Sequence, residues 1–289
     1  MRTRALGKTG MRVTELCMGC WEIGGLFWGP IDQVEARKLL WAAFDAGVTT
    51  YDLADVYGNG RSECLVGRAF HDRRDKVVLI SKAGYLPGAD GAQSLYQPQV
   101  QCHEPKYLRQ ACEMSLWRLE TDYIDVFLLH DPPMEVVKRQ GVWNVLRKLK
   151  AEGKIRAFGA SAPLNVAVEA ARNGAEVIET PFSLLLPQAG GDLFPLAKKE
   201  GVGVLARSPF TSGRLFQTGK DAPTKPFRFL AQKDRPLTAA AIKYVLSQTA
   251  VSSVVTGMMK RTELKKNVVA STRPFLTRNE LAKIVSLQG

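Results

Sequence analysis

Short apolar runs alternate with amphipathic stretches along almost the whole chain. The runs are ELCMGC, TTYDLA, VVLISK, IDVFLLH, IRAFGAS, VIETPF, VGVLARS and SVVTGM, rich in Val, Ile and Leu and without strict alternation. That pattern suits parallel strands covered on both faces. Between them lie stretches of helical periodicity: DQVEARKLLWAAFDAG, RSECLVGRAFHD, KYLRQACEMSLWRLE, GVWNVLRKLKAEG, PLNVAVEAARNG, LFPLAKKEG, TAAAIKYVLSQT and TELKKNVVA. Eight strand–helix pairs in 289 residues predict an α/β fold, a closed (β/α)8 TIM barrel. The opening MRTRALGKTGMRV reads as an N-terminal β-hairpin and TRNELAKIVSLQ as an extra C-terminal helix. A doubly wound open sheet is the competing arrangement, and no GxGxxG follows an early strand to support it.

Punctuation along the chain agrees with these elements. Asp32 stands where it can cap the first long helix, and Gly47 and Gly153 fall where helices should stop. Two connections are long, from Gly84 to Glu104 and from Ser208 to Pro236. Both follow strands, so in a barrel they overhang the C-terminal face, where barrel enzymes place their sites. Loops of this length act as lids or binding loops. No linker composition or internal repeat divides residues 1–289, which read as a single domain.

Composition narrows the partners more than the fold. The 40 Lys and Arg against 28 Asp and Glu give a net charge of +12. These charges are scattered and no nucleic-acid motif accompanies them, so the basic surface points to anionic small molecules rather than nucleic acid. No segment has the apolar core of a signal peptide or the length of a membrane span, so a soluble, cytoplasmic protein is expected. The five cysteines are Cys17, Cys20, Cys64, Cys102 and Cys112. An odd count argues against a disulfide framework. Cys17 and Cys20 have CxxC spacing, but no second pair or nearby His completes a zinc site, and they read as core residues. The oligomeric state is left open.

Four polar residues close or follow consecutive apolar runs: Asp52 ends the second barrel strand, Tyr57 lies on the loop after it, Lys82 ends the third strand and His130 the fourth. Any one of them has an ordinary structural explanation. Neighbouring parallel strands, however, bring their ends together, so all four can meet in one pocket. A buried ammonium beside a phenol favours the phenolate and lowers its pKa, and a carboxylate keeps that ammonium in place. A histidine can then donate to a substrate oxygen. This equipment delivers a proton to a carbonyl oxygen as it becomes an alkoxide. No nucleophile is evident, so the proton must accompany something a cofactor supplies, most economically a hydride.

YDLADVYGNGRSE, ISKAG and LLHDP, in this order on successive strands, resemble the catalytic tetrad of the aldo-keto reductases. LGKTGMRVTELCMGCWEIGG, SPFTSGRL and GMMKRTELKKN resemble the same family, so the similarity spans nearly the whole chain. The resemblance implies an oxidoreductase moving hydride between a nicotinamide dinucleotide and an aldehyde, ketone or sugar carbonyl. Tyr57 would be the general acid–base, Lys82 would tune it, Asp52 would hold Lys82, and His130 would orient the carbonyl. The alternative is a cofactor-binding regulatory or sensor subunit on the same scaffold. A metal-dependent barrel hydrolase is a third class, weakened by only three histidines and no HxH pair at a strand end.

By the same resemblance, three regions would hold the cofactor. CWEIGG would pass over the nicotinamide and pyrophosphate near Trp21 and Glu22, and RSPFTSGRL would offer Ser208, Phe210, Ser212, Gly213 and Arg214 to the cofactor, chiefly its pyrophosphate. TGMMKRTELKKN would grip the adenosine end through Gly257, Met258, Met259, Lys260, Glu263, Lys266 and Asn267, with Glu263 and Asn267 facing the adenine. Lys260 and Arg261 at a helix start suit a 2′-phosphate, so NADP(H) is favoured, with NAD(H) as the alternative.

Around the nicotinamide the chain departs from the family pattern. Ser161 is followed by Ala162 rather than Asn, Glu179 stands where relatives place Gln, and Arg207 stands where they often stack an aromatic ring. Glu179 and Arg207 lie on neighbouring strands and are expected to form an ion pair beside the ring, the guanidinium plane replacing the stack. His71 reads as an exposed helix end and His103 as a loop position. Trp28, Tyr85, Tyr96 and Phe216 fall on loops at the barrel mouth, where some of them would shape the substrate pocket.

Overall fold

Two short strands, β1 (Thr3–Ala5) and β2 (Arg12–Thr14), pair antiparallel at the N-terminus. Eight more follow: β3 (Leu16–Gly19), β4 (Thr50–Asp52), β5 (Val78–Ala83), β6 (Ile124–His130), β7 (Ile155–Ser161), β8 (Val177–Pro181), β9 (Gly203–Arg207) and β10 (Val251–Gly257). All eight are parallel and close into a barrel in the order β10-β3-β4-β5-β6-β7-β8-β9. The helices are α1 (Trp21–Gly24), α2 (Gln33–Asp45), α3 (Arg61–Phe70), α4 (Pro105–Leu119), α5 (Met134–Lys138) and α6 (Gln140–Ala151), then α7 (Leu164–Arg172), α8 (Leu193–Glu200), α9 (Leu237–Ser247), α10 (Arg261–Thr272) and α11 (Arg278–Gln288). The expected hairpin, eight strand–helix pairs and additional terminal helix are all present. This computed structural model describes residues 1–25, 31–86, 100–218 and 222–288, so Trp28 and Tyr96 lie outside the described residues.

The absence of alternation in the apolar runs has a direct structural meaning. One set of strand side chains, among them Cys17, Ile80, Val126, Leu128, Ala157, Val177, Leu205 and Val255, fills the barrel. The other set packs outward against the helices in a larger shell that includes Tyr51, Phe127, Trp143 and Phe158. The hairpin plugs the N-terminal end of the barrel: Leu6, Met11 and Val13 join the interior cluster. Each such buried aliphatic side chain contributes roughly 1.5–3 kcal/mol relative to exposure. Asp32 caps α2 as expected, accepting from the Val34 and Glu35 amides at 2.8 and 3.3 Å. Gly47 and Gly153 follow helices at φ of 84° and 76°. Among the described residues no helix is long and apolar enough to cross a membrane.

Candidate active site

Register brings the chemistry together. Asp52 is the last residue of β4 and lies beside Gly19 and Ile80 on the flanking strands. Further round the barrel, His130, Ser161 and Glu179 are Cα partners across β6, β7 and β8. Arg207 ends β9 opposite Pro181, two residues beyond Glu179. Tyr57 sits on the turn from β4 to α3. Its loop is pinned by a backbone contact so close that a Cβ on Gly24 would lie 2.7 Å from the Tyr57 carbonyl carbon, and one on Gly58 2.3 Å from the Gly24 oxygen.

Lys82 is the hub. Its fully buried ammonium donates to the Asp52 carboxylate, to the Leu53 carbonyl at 2.9 Å and to the Tyr57 hydroxyl at 3.3 Å. The Glu179 Oε1 atom lies 3.7 Å from the same ammonium. The His130 ring meets the Tyr57 ring edge-on, with centroids 5.9 Å apart, and the Tyr85 ring at 5.1 Å. The four tetrad candidates are therefore neighbours around one phenolic hydroxyl.

Burial pushes the Lys82 pKa down, but Asp52 and Glu179 outweigh that and hold it charged. Lys82 lowers the Tyr57 pKa, as the sequence led us to expect, but burial outweighs it. Burial pushes the phenol up, Lys82 pulls it down, and Asp52 and Glu179 push it up again, so it stays above its ordinary value. One ammonium shared by two carboxylates has little charge left to stabilise a phenolate. His130 is pushed well below the usual histidine range by burial, then by Lys82, Arg207 and His103. At neutral pH the site thus presents a protonated phenol and an uncharged imidazole.

Beyond the tetrad lies a second row of charges. Glu179 accepts from Ser161 Oγ at 3.0 Å and lies 3.9 Å from Arg207 Nε. Arg207 also reaches Asp131, its terminal nitrogen 3.5 Å from Oδ1. The expected pairing of Glu179 with Arg207 is thus a long contact, extended to a third residue. Several buried polar atoms in this region lack a hydrogen-bond partner: Glu179 Oε2, Arg207 Nε, Thr180 Oγ1, His130 Nδ1 and Glu22 Oε2. Buried polar atoms are normally satisfied. A carboxamide, which both donates and accepts, fits the orphaned Glu179 oxygen beside Ser161.

The outer cofactor candidates are arranged less uniformly. Trp21 and Glu22 lie on α1, and the Glu22 carboxylate faces the end of β10, where Gly257 leaves room for it. After β9 the backbone turns repeatedly through the left-handed region at Ser208, Thr211, Ser212 and Gly213. Arg214 and Ser212 are exposed there, and Phe210 packs against Phe216. Met258 is buried, while Lys260, Arg261 and Lys266 are exposed at the start of α10. The Glu263 carboxylate folds back to accept from the Met259 and Lys260 amides at 2.9 and 3.2 Å, closing the helix N-terminus. Asn267 is buried, with its amide 3.5 Å from Thr256 Oγ1. Among the described residues no group of three or more His, Cys, Asp or Glu could hold a metal ion.

A family profile described as the aldo/keto reductase family matches residues 15–288. The chain belongs to the aldo-keto reductases. This reductase is 29% identical to the oxidoreductase YqkF of Bacillus subtilis, over 99% of its own chain and 96% of that protein. It is 28% identical to the L-galactose dehydrogenase of Arabidopsis thaliana, over 93% of its chain and 88% of that enzyme. Its fold superposes on the holo form of the aldo-keto reductase AKR11C1 from Bacillus halodurans with a TM-score of 0.87 and 29% identity, covering 99% and 96% of the two chains. Aldo-keto reductases work with nicotinamide cofactors, and this one is an oxidoreductase of that kind.

Three residues of the reductase were missed or underrated by sequence reasoning. His103 is no plain loop residue: it is buried, with Nε2 3.1 Å from the His130 carbonyl oxygen, and it leaves no room for a side chain at Gly84. Asp131 follows His130 directly and carries its carboxylate to Tyr85 and Arg207. Its place immediately after LLH was the available signal. Asp55, two residues before Tyr57, leaves Oδ1 buried and unpartnered, and burial together with Glu63 pushes its pKa up.

Proposed function

We propose that this aldo-keto reductase, a single domain over residues 1–289, transfers hydride between NADP(H) and the carbonyl of an aldehyde, ketone or sugar, with Tyr57 as general acid–base. One observation carries the assignment: the Lys82 ammonium reaches both the Asp52 carboxylate and the Tyr57 hydroxyl, beside His130, at adjoining strand ends. A bound reduced nicotinamide supplies the hydride. The chain's own groups do the rest. Uncharged His130 donates from Nε2 to the carbonyl oxygen and sets its direction. Tyr57 then gives its hydroxyl proton to that oxygen as negative charge develops there, and Lys82 steadies the phenolate left behind. A phenol held up by burial and two carboxylates keeps its proton at neutral pH, the form that carbonyl reduction draws on.

In this reading Ser161, Glu179 and Arg207 hold the nicotinamide carboxamide and ring, with Trp21 and Glu22 above them. Ser208, Phe210, Ser212, Gly213 and Arg214 bind the pyrophosphate, and Gly257, Met258, Met259, Lys260, Glu263, Lys266 and Asn267 the adenosine. NADP(H) is preferred because Lys260, Arg261 and Lys266 offer exposed cations to a 2′-phosphate. Glu263 already takes the Met259 and Lys260 amides just before α10, so the exposed side chains are left to carry most of that preference.

The test follows absorbance of the reduced nicotinamide over a panel of aldehydes, ketones and sugars, with each dinucleotide. Tyr57→Phe should lower kcat by about 10²–10⁴-fold while dinucleotide binding, read by fluorescence, persists. A variant with full activity refutes the assigned acid.

A further inference from the structure

We infer that Asp131 is a specificity residue that selects carbonyl substrates carrying a hydroxyl on the carbon next to the carbonyl. The inference rests on the reductase reading above and names the substrate class for that site. It starts from a backbone oddity. Asp131 adopts a φ of 43°, in the left-handed region that costs a non-glycine residue roughly 1–2 kcal/mol and that Asp tolerates better than most. Two bonds hold it there: its amide donates to the Ser161 carbonyl at 2.9 Å, and its carbonyl accepts from the Gln101 side chain at 2.8 Å.

The effect is to turn the carboxylate back over His130, with Oδ2 3.9 Å from Nε2. A carbonyl oxygen accepting from that nitrogen would lie about 2.9 Å from it. The substituent on the neighbouring carbon then falls against the Asp131 carboxylate. The Tyr85 hydroxyl reaches Oδ2 at 3.3 Å and the Arg207 guanidinium reaches Oδ1 at 3.5 Å. Both contacts are long. They orient the carboxylate without saturating it, since two carboxylate oxygens offer about four acceptor sites. Its side chain is 37% exposed, so the spare capacity faces solvent and substrate.

The chemistry then ranks the substrates. A hydroxyl at that position donates a short, charge-assisted bond to the carboxylate. A methyl group covers the carboxylate and returns nothing for the water it displaces. A carboxylate, as in a 2-oxo acid, meets Asp131 with Asp52 and Glu179 close behind. Arg207 is the one described cation at that edge and is shared between Asp131 and Glu179.

The experiment measures kcat/KM for glyceraldehyde, propanal and pyruvate at saturating reduced dinucleotide, in the wild type, Asp131→Asn and Asp131→Gly. Asn keeps the shape and tolerates the same backbone, and Gly removes the side chain where it is free to take this φ. The expected wild-type order is glyceraldehyde, propanal, pyruvate. The glyceraldehyde-to-propanal ratio should fall about tenfold or more in either variant, the size of a lost hydrogen bond to a charged group. A ratio unchanged in both variants overturns the assignment, as does a wild type that prefers pyruvate. If no carbonyl compound is reduced, propanal included, the reductase reading itself fails, and that result is distinct from an unaltered ratio.

Discussion

Strand β6 joins two regions that treat buried charge in opposite ways. Near its start, the fully buried Asp125 carboxylate accepts from Arg74 at 2.7 Å, Arg156 at 2.8 Å and the Leu79 amide at 2.9 Å. Glu15, at the same end of the barrel, is bridged by Arg2 and Arg4 at 2.9 and 2.8 Å, and Arg4 also donates to the carbonyls of Leu246, Gln248 and Val251. At the other end of the strand, His130 leaves Nδ1 without a partner, close to the orphaned Glu179 and Arg207 atoms. Each buried, unsatisfied polar group costs about 1–3 kcal/mol. The N-terminal end uses its charges to hold the barrel together. The C-terminal end leaves its own incompletely bonded, as a site that must accept a cofactor and a substrate requires.

The sharpest way to break this comparison is Asp125→Ala. Removing the acid takes its carboxylate partner from the mostly buried Arg74 and leaves the Leu79 amide unpaired, so stability should fall by about 3–5 kcal/mol in urea unfolding. Turnover per folded molecule should change little. Lost activity with unaltered stability would mean that the two ends do not divide the work in this way.

A smaller effect is expected from Glu179→Gln at the opposite end. Only its Oε2 atom is orphaned and Gln can still accept from Ser161, so stability should change by no more than about 1 kcal/mol. The sign for Tyr57 follows from the charges: Glu179 raises the phenol's pKa and Lys82 lowers it, so neutralising Glu179 lets it fall. Loss of reduction rate on the alkaline side should therefore set in at lower pH than in the wild type. A profile displaced to higher pH would contradict the shared-ammonium account.

The smallest expected effect is no change at all. His130 lies well below the usual histidine range, so it is uncharged on both sides of neutrality. The kcat for reduction should be flat from about pH 6 to about pH 8. An inflection near the ordinary histidine value, abolished by changing His130, would show an imidazole in more open surroundings.

The barrel was legible because strands buried on both faces carry continuous apolar runs, and the tetrad because each member closes or follows such a run. What escaped the sequence depends on chain segments far apart. The lysine lowers the phenol's pKa as expected, but burial outweighs it, and Asp52 and Glu179, the latter arriving from β8, add to the rise. The fold-back of Glu263 was hidden because an acid three residues after Lys260 suits a capping box as well as a cofactor contact. The burial of His103 depends on how its connection returns over Gly84, which local composition does not encode.

Gly24 and Gly58 come from separate connections, yet each occupies the space the other's side chain would need. Mutagenesis that saturates either codon should therefore recover only the parental residue among active clones. An engineer reshaping this barrel for new substrates has no freedom at that crossing.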